Sequence, residues 1–291
     1  MDELIEELKN QGVLKSPLVE AAFRAIDRND FVLPEYKSEA YGNYPLPIGE
    51  GQTISQPYTV AFMLDLLDPR PEEKILDVGA GSGWQTALLA YIVSERGGVK
   101  SLKPVPSGAE GPKVQSSGRV VAAERIPRLC ELAKKNITKY GFTQKGAVKL
   151  ICADATKNLA KEGPFDKIIA AATSSGEIPE VWRKELKVGG RIVAPVNDAV
   201  KLYIKKSGEN WEEKEFPGFA FVPLIAARKP TPGKSNSGLK EHRRKLSITG
   251  LIALAVILGA SYPAFEPVRF VLPITIEVAA GSGSRAIGQL L

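Results

Sequence analysis

Lys74-Ile-Leu-Asp-Val-Gly-Ala-Gly-Ser-Gly-Trp-Gln-Thr-Ala-Leu-Leu-Ala90 opens with an apolar run, Ile75, Leu76 and Val78, of the kind that makes a buried parallel strand. Glycines follow at every second position, Gly79, Gly81 and Gly83, and then an apolar, alanine-containing helix. Only glycine turns a backbone this tightly while leaving its N–H groups open to a ligand. A helix N-terminus just behind the turn adds partial positive charge for whatever docks there.

Two cofactor classes use such a strand–glycine–helix device. The dinucleotide fingerprint requires G-x-G-x-x-G. Its third glycine would fall on Trp84 counted from Gly79, and on Thr86 counted from Gly81, so both counts fail. What remains, D-x-G-x-G-x-G from Asp77 to Gly83, resembles motif I of the S-adenosylmethionine-dependent methyltransferases. The bland alternative is a glycine turn that binds nothing.

Downstream, strand and helix signals alternate. Arg119 to Ala123 reads as a strand ending at Glu124, and Pro127 opens a helix that stops at Gly141. Val148 to Cys152 is a strand followed by Asp154, and Phe165 to Ala171 another. Pro179 to Lys187 is a helix ended by Gly189-Gly190, and strands from Arg191, Lys201 and Phe219 complete the set. The pattern predicts an α/β fold: an open, mostly parallel, doubly wound sheet that binds ligands beyond the C-terminal ends of its strands. Glu124 stands where a carboxylate can accept from both ribose hydroxyls of a nucleoside. Asp154 can accept from an adenine amino group while the Ala155 N–H donates to the ring. An acid at a strand end can also be solvated and idle, but two at consecutive strand ends behind a glycine loop favour the nucleoside.

Upstream, Ser16-Pro17 reads as a cap and first helical residue, with Leu18, Val19, Ala22, Phe23 and Ile26 on one apolar face. Phe31 to Ser55 is loop-rich, and a helix begins near Pro57 with Val60, Met63, Leu64 and Leu67 at helical spacing. Glu95 to Ser117, rich in Gly, Pro, Ser and Lys, reads as a long loop insertion. Asp2, Glu3, Glu6 and Glu7 break any apolar run at the N-terminus, so no signal peptide is expected.

The chain has 291 residues, 44% hydrophobic and 25% charged, with a formal net charge of +6. Residues 229–291 account for +5 of that charge, leaving +1 for residues 1–228. A nearly neutral glycine-loop domain argues against a phosphate-binding face, so no nucleic-acid partner is expected. The only histidine, His242, lies in the basic tail, which excludes histidine-dependent catalysis from the main domain. The spacing of Cys130 and Cys152 resembles neither a zinc site nor a disulfide framework, so we expect buried thiols in a reducing compartment and no metal.

Residues 229–245 form a Pro/Gly/Ser linker with a basic cluster, His242-Arg-Arg-Lys245. The uncharged run 246–265 has about the length of a transmembrane helix, with basic residues on the flank that suits the cytoplasm. It would tether a cytoplasmic domain to the inner face of a membrane; the alternative is a helix packed on the domain or on a partner. Residues 266–291 are a tail containing one strand-like stretch, Phe270 to Val278.

Pro45 to Pro57, Asp77 to Ala87, Val121-Ala-Ala-Glu-Arg-Ile126, Gly189-Gly-Arg-Ile-Val-Ala-Pro195 and Phe221-Val-Pro-Leu224 together resemble the protein-L-isoaspartate O-methyltransferases. The similarity covers nearly all of residues 1–228, and Gly51-Gln-Thr-Ile-Ser-Gln-Pro57 is its most specific part. The resemblance implies S-adenosyl-L-methionine as cofactor and the α-carboxylate of L-isoaspartyl residues in damaged proteins as acceptor, on a monomeric catalytic domain. It assigns Ser55 the active-site position. It also places Gln52, Thr53, Ile54, Ser82, Glu124, Asp154 and Ala155 at the cofactor, beside Asp77, Gly79, Gly81 and Gly83 of the glycine loop. Ile54, Ser55 and Val222 are expected to hold the peptide. Three departures stand out: the long 95–117 loop, Glu50 where an aromatic or small residue is more familiar, and Ala153 and Ala155 where glycines are commoner.

Such chemistry needs no base. A carboxylate with a pKa near 4 is already ionised at neutral pH, so positioning and exclusion of water do the work. The Ser55 hydroxyl is expected to orient the substrate carboxylate; the alternative is that Ser55 caps the helix beginning near Pro57. Other readings remain open. A methyltransferase acting on nucleobases commonly carries an Asn/Asp-Pro-Pro-Tyr turn after the fourth strand, where this chain has Ala171-Ala-Thr-Ser-Ser175. A small-molecule methyltransferase and a membrane-tethered binder without turnover are the others.

Overall fold

The computed structural model describes residues 1–94, 118–157, 159 and 161–224, which fall within one compact unit, Met1–Gly233. Two helices lead, α1 (Asp2–Asn10) and α2 (Pro17–Ala25), followed by short 3-10 turns at Arg28–Asp30 and Pro34–Glu39. A small hairpin, β1 (Leu46–Gly49) and β2 (Gln52–Ile54), precedes α3 (Pro57–Leu67). The alternating part comprises β3 (Lys74–Val78), α4 (Trp84–Ser94), β4 (Arg119–Ala123), α5 (Pro127–Thr138), β5 (Val148–Ile151), β6 (Phe165–Ala170), α6 (Glu180–Glu185) and β7 (Leu186–Val196). Strands β8 (Ala199–Ser207) and β9 (Asn210–Pro217) close the described fold.

The expected architecture is observed. Seven strands lie in the order β5-β4-β3-β6-β7-β8-β9, parallel from β5 to β7 and antiparallel thereafter. The chain runs outward from β3 through β4 to β5, then returns to β6 on the other side of β3. That reversal is where an open sheet leaves a crevice at the carboxyl ends of its strands. Strands β3 and β4, at the centre of the site, are buried on both faces, and α4 is buried along nearly its whole length, as its all-round apolar sequence requires.

Four local expectations need correction. The helix from Pro179 stops at Glu185, and Gly189-Gly190 lies inside β7 instead of ending a helix. A Cβ on Gly190 would stand 2.7 Å from the Asp166 carbonyl oxygen, so that glycine permits close contact between β6 and β7. The last strand is Asn210–Pro217, not a segment from Phe219; its charged run, Glu212-Glu-Lys-Glu215, lies on both faces and carries no apolar alternation to mark it. The loop-rich segment before Ser55 contains the β1–β2 hairpin, which is too short to show a periodicity. Cys130 and Cys152 are not free thiols but form a disulfide between α5 and the end of β5, with Cα atoms 5.7 Å apart. Their 22-residue separation conceals that α5 packs beside β5. Of the remaining expectations, the 95–117 loop and everything from 229 onward lie outside the described residues.

Candidate active site

The Gly79-to-Gly83 turn is held by the strands beside it. The Gly79 and Ala80 N–H groups both donate to the Ala123 carbonyl, at 2.8 and 3.2 Å, anchoring the turn to the end of β4. Gly83, with φ +92, sits against α5, where a Cβ would approach Ile137 to 2.9 Å. Any larger residue would push α5 away from the turn. Behind the turn, Asp77 is fully buried and accepts from Gln85 Nε2 at 2.8 Å and Thr86 Oγ1 at 2.5 Å, tying the first turn of α4 back to β3. Burial, with the Glu124 carboxylate adding to it, raises the Asp77 pKa to about 6 despite those two donors.

A cleft enclosing about 660 Å³, including space open to solvent, lies above the turn. Its walls include Gln52 and Thr53 from the hairpin, Gly79 and Gly81 from the turn, Glu124 after β4, Asp154 and Ala155 after β5, and Val222. The structure thus brings together eight of the expected residues from five separate stretches. The others stand apart from the cleft wall. Asp77 lies behind the turn, Ser82 is buried with its carbonyl accepting from Asn136 Nδ2 at 3.0 Å, and Gly83 meets α5. Ile54 is buried in the core, paired with Leu46, and Ser55 is half-buried one residue beyond the hairpin.

Ser55 is not a helix cap. The cap of α3 is Gln56, whose side chain donates instead to the Asn43 carbonyl at 2.9 Å. The sequence also left unassigned an apolar part of the wall, formed by Ile48, Ile126, Leu129 and Ala171. Ile126 and Leu129 follow Glu124 at the start of a helix, a placement that could have flagged them.

The acids fit a nucleoside. Glu124 accepts from the Gly81 N–H through Oε2 at 2.9 Å and from the Ile126 N–H through Oε1 at 2.8 Å. Each carboxylate oxygen has two lone pairs, so both retain acceptor capacity for a vicinal diol. The Asp154 carboxylate accepts from the Thr156 N–H at 3.0 Å and its hydroxyl at 2.6 Å, and the Ala155 carbonyl accepts from Trp182 Nε1 at 2.8 Å. These bonds fix the segment that would meet a base. Glu50, at φ +54 in the hairpin turn, reaches across to Arg128 at the start of α5 at 3.1 Å. An acid at this position therefore links the two walls, although so exposed a pair contributes at most about 1 kcal/mol.

Fold and site together define a class, the Rossmann-like methyltransferases that use S-adenosylmethionine. A sequence model described as protein-L-isoaspartate(D-aspartate) O-methyltransferase matches residues 1–229. The protein-L-isoaspartate O-methyltransferase of Methanopyrus kandleri is 39% identical over 228 residues, covering 77% of this chain and 90% of that protein. That of Staphylothermus marinus is 38% identical over 226 residues, covering 76% and 92%. A crystal structure of a Plasmodium falciparum protein, described as a protein-L-isoaspartate O-methyltransferase in complex with S-adenosyl-L-homocysteine, shares the fold. Its TM-score is 0.63 at 23% identity, over 77% of this chain and 97% of that one. This chain belongs to the protein-L-isoaspartate(D-aspartate) O-methyltransferase family.

Proposed function

We infer that this chain is a protein-repair enzyme. It moves the methyl group of S-adenosyl-L-methionine to the free α-carboxylate of L-isoaspartyl residues in damaged proteins and peptides. The resulting ester closes to a succinimide that opens in part to aspartate. The observation that carries this reading is the pairing of a nucleoside cleft, walled by Gly79, Gly81, Glu124 and Asp154, with the Gln52-to-Ser55 segment at its rim.

When bound, S-adenosylmethionine supplies an electrophilic methyl on a sulfonium, which leaves as a thioether as the carboxylate becomes an ester. The chain's own residues hold and orient. Glu124 takes the ribose hydroxyls, and Asp154 and the Ala155 N–H take the adenine edge. Ile126 and Leu129 supply apolar contact, and Gln52 and Thr53 cover the cleft. We assign the Ser55 hydroxyl the role of donating to the acceptor carboxylate, with the backbone of Ile54, Ser55 and Val222 gripping the peptide. No general base is required, because the acceptor is already ionised.

Radiolabelled methyl transfer to an isoaspartyl peptide, against its aspartyl counterpart, tests the reading. Label must enter the isoaspartyl peptide alone; transfer to neither would remove it.

We assign residues 1–228 to a monomeric catalytic domain in the cytoplasm. Residues 229–245 act as a linker, and 246–265 as an anchor at the inner face of a membrane, ahead of the 266–291 tail. The support for the anchor is the uncharged length of 246–265 beside His242-Arg-Arg-Lys245. Among the described residues no helix is long and apolar enough to cross a membrane. Recovery of the full chain in the soluble fraction without detergent would end the anchor assignment.

A further inference from the structure

Arg28 is fully buried, yet among the described residues its guanidinium meets no carboxylate. Its partners are backbone carbonyls. Nη1 donates to Ala40 at 2.8 Å and Gly42 at 3.1 Å; Nη2 donates to Tyr44 at 3.0 Å and Ser55 at 3.2 Å. Its carbon lies 5.3 Å from the centre of the Trp84 ring, and Nε has no partner. Trp84 is the first residue of α4, directly after the glycine turn.

Burying a lone guanidinium costs several kcal/mol, and an apolar side chain of similar volume would fill the space without that penalty. A planar, forked donor does what no apolar side chain can: it fixes the direction of several carbonyls at once. Here those carbonyls come from both ends of segment 40–55, which contains the hairpin over the cleft and ends on Ser55 itself. The fork is braced in turn. Asp27 caps the 3-10 turn carrying Arg28 by accepting from the Asn29 N–H at 2.9 Å. Tyr140, just after α5, donates through its hydroxyl to Asp30 at 2.9 Å and accepts from the Asp27 N–H at 3.0 Å. Burial lowers the Arg28 pKa to about 10, so the group stays charged at neutral pH.

We propose that Arg28 is a positioning residue for methyl transfer: one guanidinium holds the Ser55 backbone and the Trp84 ring together, and so sets the register between the acceptor-holding segment and the cofactor turn. The proposal rests on the function inferred above. Methyl transfer depends on the alignment of acceptor and donor, and a misplacement of about 1 Å can cost roughly 100-fold in rate.

The test uses the full chain with Arg28→Lys, which keeps the charge but not the fork, and Arg28→Gln, which keeps polarity but not the charge. Each is assayed for S-adenosylhomocysteine binding by calorimetry, for kcat and KM on an isoaspartyl peptide per cofactor-binding site, and for hydrogen exchange across residues 40–56. For Arg28→Lys we expect product affinity within about threefold of wild type and kcat lower by roughly 10- to 100-fold, with faster exchange confined to 40–56. Unchanged kcat per binding site in Arg28→Lys, even with lowered thermal stability, would overturn the proposal. So would loss of cofactor binding in both variants, which would make Arg28 a residue of folding alone. Should wild type itself fail on the peptide, the functional inference has failed and the proposal falls with it; an active wild type with an equally active Arg28→Lys indicts the proposal only.

Discussion

The Gly81 N–H donates to Glu124 Oε2 at 2.9 Å, so the glycine turn after β3 and the acid after β4 are one unit. The other Glu124 oxygen takes the Ile126 N–H at 2.8 Å. The carboxylate thus has a fixed orientation before any ligand arrives, which lowers the entropy that binding must supply. Glu124→Gln keeps the size but turns an NH2 donor toward one of those N–H groups. Since a hydrogen bond to a charged group contributes about 1.5–3 kcal/mol, the variant should bind S-adenosylhomocysteine roughly 10- to 150-fold more weakly by calorimetry. Wild-type affinity in Glu124→Gln would break the ribose assignment.

Asp77 gives a pH dependence of known sign. Its pKa is raised from 3.8 to about 6 in the folded chain, chiefly by burial, so the folded state binds its proton more tightly than the unfolded state. Stability from this group is full below about pH 3.8 and is lost as the pH rises through about 6. The gap corresponds to about 3 kcal/mol at most. Urea unfolding of wild type and Asp77→Asn between pH 4.5 and 7 should show wild type losing stability relative to the variant as pH increases. Parallel curves would show that Asp77 does not titrate in that window.

The glycine turn and the acids at the strand ends were legible because each depends on a local pattern, a short apolar run followed by Gly, Glu or Asp. Arg28 was not legible, since its partners at 40, 42, 44 and 55 are carbonyls and any residue supplies those. The Cys130–Cys152 pair was misread because its proximity is a product of α5 lying back along β5. Gly189-Gly190 misled for a related reason: glycine also serves strands where two backbones crowd. Asp77 was legible as a motif residue, but its partners Gln85 and Thr86, eight and nine residues on, were not, since only the turn into α4 brings them back to it.

Ser55→Ala separates catalysis from stability cleanly, because Gln56, not Ser55, occupies the cap of α3. Equilibrium unfolding should shift by less than about 0.5 kcal/mol, as for an ordinary partly exposed site. Affinity for S-adenosylhomocysteine should also hold, since Ser55 stands outside the cleft wall. Turnover on an isoaspartyl peptide should fall by roughly 10- to 100-fold, the value of one hydrogen bond to a charged group. Full turnover in a normally folded Ser55→Ala would remove the serine from the chemistry.

The disulfide offers a separate handle on the same cleft. Leu129 and Ala153, which both line it, are the immediate neighbours of Cys130 and Cys152. Cross-linking residues 22 apart restricts the unfolded chain, which on the chain-entropy account contributes about 3 kcal/mol. For a domain of this size that amounts to roughly 6–12 °C in melting temperature. Dithiothreitol should lower the melting temperature of wild type by that margin and leave Cys130→Ala unmoved. Because reduction also frees the Leu129 and Ala153 walls from each other, affinity for S-adenosylhomocysteine should fall in parallel. A wild-type melting temperature indifferent to reductant would mean that the two sulfurs are not joined in solution, and the coupling of this staple to the adenine wall would go with it.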